Sequence, residues 1–82
     1  MRVAVDISLY PLDADFIPPI KDVIARLNEY ESIEVVTNPM ATQLRGEYED
    51  VMAALTREIG STFDRVPKAV FAIKILNNPI ED

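Results

Sequence analysis

The spacing of apolar positions switches between two periods along this 82-residue chain. Over residues 2–10 it is two: Val3, Val5, Ile7 and Leu9 fall on one face, and Ala4, Asp6, Ser8 and Tyr10 on the other. That alternation is the signature of a half-buried strand. Pro11 should stop the strand, and residues 12–15 (LDAD) make a short loop. The period then becomes helical, with Phe16, Ile17, Ile20, Val23, Ile24 and Leu27 on one stripe. Asp15 is the expected N-cap. Pro18 and Pro19 sit near the first turn, where a missing N–H is best tolerated. This helix should end between residues 28 and 31.

Residues 32–37 (SIEVVT) are short and β-branched, hence a strand. Asn38-Pro39 is a turn signal, and residues 40–45 alternate as its hairpin partner until Gly46 breaks the strand. The acidic residues Glu47, Glu49 and Asp50 follow, as suits a helix N-terminus. A second helix over about residues 47–59 carries Tyr48, Val51, Met52, Leu55 and Ile59, with Gly60 at C′. Residues 61–67 read as a connection and 68–76 as the last strand. Phe71, Ile73 and Ile75 lie on one of its faces, and Val70, Ala72 and Lys74 on the other. Residues 77–82 form a polar tail.

The order β-α-β-β-α-β predicts an α+β, ferredoxin-like sandwich of one domain over residues 1–82. Two right-handed crossovers put both helices on one face of a four-stranded antiparallel sheet, with the first and third strands central. The other face is left uncovered, for solvent, for assembly or for a ligand. So short a chain buries little more than roughly 60% of its unfolded surface, which makes self-association a natural source of added stability.

Composition narrows the function. A net charge of −6 disfavours nucleic-acid binding, which needs basic surface against phosphates. No apolar run approaches the roughly 18 residues that span a membrane. The first residues enter a strand pattern at once, so no leader is expected. With no cysteine there is no disulfide framework, and the cytoplasm is the expected compartment. The absence of histidine and cysteine removes the common nucleophile pairs, thiolate chemistry and the usual zinc ligand sets. Two isolated glycines make no phosphate loop. Carboxylate pairs such as Asp13/Asp15 and Glu47/Glu49 read as solvated caps, and Lys74 as an edge-strand charge that discourages unwanted pairing. No catalytic residue, metal site or cofactor is expected.

The outward row of the first strand is the sharpest chemical feature. Asp6, Ser8 and Tyr10 offer an anion, a hydroxyl and an aromatic plane on one side. A flat cationic heteroaromatic ligand suits that row, stacking on Tyr10 and donating to Asp6 and Ser8. A subunit interface, where tyrosine is enriched, suits it too, and periodicity by itself favours the interface.

Two motifs add to this reading. The S-x-Y-P-L run of Ser8, Tyr10, Pro11 and Leu12 closes the first strand. Pro39, Met40, Thr42, Leu44, Gly46 and Glu47 fall into the pattern P-M-x-T-x-aliphatic-x-G-acidic. Together they resemble the thiamine-binding YkoF-like family over nearly the whole chain. The resemblance implies a ferredoxin-like fold that binds thiamine or its hydroxymethylpyrimidine moiety without catalysis. It also implies assembly through the sheets into a homodimer or homotetramer. By motif position, Ser8, Tyr10, Asn38, Met40 and Thr42 are its ligand-site candidates, and Asp6 joins them from the face pattern. One departure is residues 13–15, Asp-Ala-Asp before two prolines, where the family pattern leads one to expect glycine or small polar residues.

Overall fold

The computed structural model describes residues 1–79. Its elements are β1 (Arg2–Pro11), α1 (Ile17–Leu27), β2 (Ile33–Thr37), β3 (Thr42–Glu47), α2 (Tyr48–Arg65) and β4 (Ala69–Asn77). The strands form one antiparallel sheet in the order β2-β3-β1-β4, so β1 and β3 are central as their apolar alternation requires. This is the ferredoxin-like α+β arrangement, with both helices against one face. Val3, Val5, Ile7 and Leu9 are all buried, and join Leu44, Val23, Leu27, Val51 and Leu55 in the core. Leu44 is 0% exposed, and burying a side chain of that size contributes about 1.5–3 kcal/mol. Cross-strand partners share a face, so Ala4, Asp6, Ser8 and Tyr10 lie with Gln43, Arg45, Val70, Ala72 and Lys74 on the side away from the helices.

Several boundaries differ from the sequence expectation, each for a physical reason. Asp15 does not cap α1; Phe16 is the N-cap, without a side-chain hydrogen bond. An N-cap side chain accepts from the N–H at N2 or N3, and here those positions are Pro18 and Pro19, which have none. The Asp13 carboxylate instead accepts the Asp15 N–H at 2.9 Å, tightening the loop. At the hairpin, the Asn38 Oδ1 accepts the N–H groups of Met40 (2.8 Å) and Ala41 (3.0 Å). This Asx turn holds both residues out of the ladder, so β3 begins at Thr42 rather than Met40. Gly46 does not break the strand either: it pairs with Val3 on one side and Ile33 on the other.

Gly60 does not end α2, which runs on to Arg65 through the expected connection at 61–67. Thr62 is buried, and the Phe63 ring packs against Phe71 at 5.6 Å between centroids. Such tertiary contacts outweigh the roughly 1 kcal/mol that a mid-helix glycine costs. A Cβ at Gly60 would meet nothing within 4 Å. Gly60→Ala should therefore stabilise the protein by about 0.5–1 kcal/mol, read as a higher urea midpoint at unchanged slope.

Tyr48 lies outside the buried stripe of α2, half-exposed at its first position. Ile75 shares the helix-facing side with Phe71 and Ile73, as expected, and is 48% exposed there because β4 is an edge strand with one flank open. Of the expected polar tail, Asn77 closes β4, Asn78 takes a left-handed φ of 50° that asparagine tolerates, and residues 80–82 lie outside the described residues.

The helices are also joined by a polar cluster. The Arg26 guanidinium donates to Glu58 Oε1 (2.5 Å), to Thr62 Oγ1 (2.9 Å) and to Asp22, and the Tyr30 hydroxyl donates to Glu58 Oε2 (2.6 Å). Arg65 reaches the same Asp22 carboxylate at 2.9 Å.

Candidate functional site

A hollow of about 190 Å³ opens where the end of β1, the helix α1 and the β2–β3 turn meet. Its floor is the helix-facing side of the sheet, given by Ile7, Leu9 and Thr42; Ile20 and Ile24 of α1 form one wall and Phe71 of β4 another. Alternation in β1 and the helical stripe of α1 both point apolar groups into this space, so it is largely apolar. Polar groups gather at the turn. Thr37 and Thr42 are register partners with hydroxyls 3.2 Å apart. Asn38 spends its side-chain oxygen on the turn, which leaves its amide N–H₂ to donate elsewhere. Every side chain lining the hollow is uncharged.

Five of the six site candidates border this hollow. Asn38, Met40 and Thr42 come from the turn and the start of β3, and Ser8 and Tyr10 from the end of β1. Thr42 is buried, whereas Met40 is 87% exposed at the mouth. Ser8 and Tyr10 alternate to the uncovered sheet face, and so edge the hollow rather than floor it. Asp6 is not brought in. It stands on the uncovered face with its carboxylate 3.6 Å from the Lys74 amine, lining a separate shallow trough with Gln43 and Arg45. The acid, hydroxyl and phenol of β1 thus share a face, but only the latter two adjoin the hollow. Lys74, on the edge strand as expected, doubles as the counter-charge of Asp6.

The loop at residues 13–15, where the sequence departs from the family pattern, contributes nothing to the lining. Sequence reasoning did not single out Thr37, Ile20, Ile24 or Phe71 for the site. Their apolar periodicity is indistinguishable from ordinary core, and only the folded chain brings α1, β4 and the turn together. Thr37 carried one usable signal, as the residue opposite Thr42 across a four-residue hairpin loop.

An uncharged, largely apolar hollow with a few hydroxyl and amide groups at one end suits a small flat heterocycle. The ring would lie against aliphatic and aromatic walls, and its nitrogens would reach the turn.

Comparison with known proteins gives a consistent family. A family described as thiamine-binding protein matches residues 5–80. A Streptococcus pneumoniae protein of known structure superposes with a TM-score of 0.89 at 27% identity, over 98% of this chain and 90% of its own. A proposed thiamine biosynthesis/salvage protein of Thermotoga maritima superposes at 0.83 and 19% identity, over 92% of this chain and 82% of its own. A Methanocaldococcus jannascii protein follows at 0.82 and 24% identity, over 99% and 84%. At these lower identities the likeness is one of fold. No curated protein matches significantly.

Proposed function

This chain belongs to the thiamine-binding protein family, and we propose that it binds thiamine or the hydroxymethylpyrimidine moiety in the hollow at the end of β1, without chemical change. The observation that carries this reading is the uncharged hollow itself, bordered by Ser8, Tyr10, Asn38, Met40 and Thr42. An aminopyrimidine has two ring acceptors and an exocyclic donor. The Asn38 amide and the Thr37/Thr42 hydroxyl pair supply matching partners beside an apolar wall. Asp6 has Lys74 as its partner, so it is a distant influence on any positive ligand rather than a contact. The described Thermotoga role supports a thiamine-related function from the side of the fold.

Isothermal titration with thiamine and with hydroxymethylpyrimidine tests the reading. Saturable heat is expected from both, and none at millimolar protein and ligand would defeat it. Thr42→Val keeps the shape and removes the hydroxyl. It should weaken binding by up to about tenfold, the worth of one hydrogen bond, before it lowers stability comparably.

The protein acts, on this reading, in the cytoplasm as a homodimer or homotetramer, in storage, delivery or sensing. The uncovered sheet face supports the assembly: Val36, Val70 and Leu76 are each about half exposed there. Light scattering that finds a monomer at binding concentrations removes that part of the proposal. No described helix is long and apolar enough to cross a membrane.

A further inference from the structure

We propose a second site, an anion site for a phosphate-type dianion, in the hollow of about 350 Å³ where the end of α1 meets the C-terminal half of α2. The site is independent of the vitamin-binding reading and lies on the helical layer. Its walls hold Arg26, Arg57 and Arg65, three of the eight basic residues of a chain whose net charge is −6. Glu58 and Asp22 answer the charge of Arg26 and part of that of Arg65, so the case for a bound anion rests on the guanidinium donors these carboxylates leave over.

Two of the three carboxylates nearby, Glu58 and Asp22, are already engaged. Glu58 accepts from Arg26 on one oxygen and from Tyr30 on the other, and Asp22 takes both Arg26 and Arg65. Arg26 in turn donates from each of its three nitrogens, to Glu58, Asp22 and Thr62, which spends three of its five N–H groups. What remains is a row on α2. Arg57, Ser61 and Arg65 stand at i, i+4 and i+8 on one helical face, about 12 Å from end to end by helix rise. Arg57 makes no hydrogen bond or ion pair among the described residues, its charge acting on Glu58 only through space, the Ser61 hydroxyl is likewise unspent, and Arg65 commits one nitrogen. Two long guanidinium side chains flanking a hydroxyl can converge on one tetrahedral anion, the geometry in which charge-assisted hydrogen bonds are strongest. Glu29 lines the same hollow and opposes the anion, which makes it a handle on the charge dependence.

Amide NMR of the full chain, titrated with inorganic phosphate and then with glycerol phosphate, tests this against chloride at equal ionic strength. Saturable shifts are expected at Arg57, Ser61 and Arg65. Arg57 is exposed, so Arg57→Gln should leave the fold intact and weaken binding about tenfold, as the loss of one charge-assisted contact implies. Glu29→Gln should tighten it about twofold to threefold, by removing a like charge at the rim. Tighter binding of the ester would mean a phosphorylated small molecule is the ligand, and equal binding would mean the free anion is. Shifts that match the chloride control, or an Arg57→Gln variant with unchanged affinity, would overturn the proposal.

Discussion

Glu58→Ala should destabilise the protein by about 3–5 kcal/mol, the range for breaking a buried ion pair from one side. The side chains of Glu58 and Arg26 are only 8% and 16% exposed. Removing the carboxylate leaves the Arg26 Nε and the Tyr30 hydroxyl without acceptors, and leaves a largely buried cation short of its counter-charge. A chain of this length has a total stability of roughly 4–12 kcal/mol, so the variant should unfold at a far lower urea concentration. Glu58→Gln, which keeps the acceptor and drops the charge, should lose distinctly less. In the cycle with Arg26→Ala, the double variant should lose less than the two single losses added together. Additive losses would show that the pair is not coupled across the helices. The Arg65–Asp22 contact belongs in a different class. Both groups are about half exposed, where such pairs contribute about 0–1 kcal/mol.

The same residue sets a pH signature. Burial pushes the Glu58 carboxyl up, but the hydrogen bonds from Tyr30 and Arg26, with the charges of Arg26 and Arg57, outweigh it and hold the group below its ordinary value. A depressed carboxylate contributes stability that is present above its unfolded value, about 4.3, and is lost as pH falls through the folded value beneath. The wild type should therefore show an acid-limb loss that Glu58→Gln lacks. The alkaline side has the opposite sign. The hydrogen bond to Glu58, with burial next, raises the Tyr30 phenol. Its contribution is complete below the unfolded value, about 10, and is lost as pH rises through the raised folded one.

How much of this was legible in the sequence depends on whether a signal was local. Val3, Val5, Ile7 and Leu9 announced both the strand and its buried face, because a period of two has one reading in a run that long. The hairpin was legible because Asn38 makes its turn with its own side chain. Glu58 was not, since its partners Arg26 and Tyr30 lie 32 and 28 positions away. One hint existed: Val51, Leu55, Glu58 and Thr62 fall on a single helical stripe, and a carboxylate there must find partners. Asn38, Met40 and Thr42 entered the candidate site through a motif, and the turn brings them together. Asp6 entered through alternation, which reports the face of a sheet but not which face carries a cavity. The two glycines misled for one reason. Glycine marks either a needed conformation or a needed space, and the sequence does not say which.

Gly46 is a case of needed space, and Gly46→Val should destabilise the protein by about 2–3 kcal/mol or more. A Cβ there would lie 3.2 Å from the Ser32 carbonyl oxygen, and 3.3 Å from methyl carbons of both Ile33 and Val51. The residue has no left-handed φ, so conformation is not the obstacle. Its neighbours are poorly able to yield. Gly46 is hydrogen-bonded into the sheet between β1 and β2, and Val51, at 0% exposure, belongs to the first turns of a helix that follows β3 without a loop. For alanine, the crowding cost of about 1 kcal/mol meets a gain of about 0.4–1 from a stiffer unfolded chain, so Gly46→Ala should be close to neutral. Valine adds two methyl groups at the same crowded point. Its better strand propensity, worth up to about 1 kcal/mol, cannot offset the displacement of α2 from the sheet. The expected result is a steep step between the alanine and valine variants in urea midpoint, with Gly60→Ala moving the opposite way. A valine variant as stable as the parent would mean that α2 can lift from β3 at little cost. Close seating of helix on sheet would then not be what holds the far end of α2, and Phe63 with it, against the Phe71 wall of the hollow.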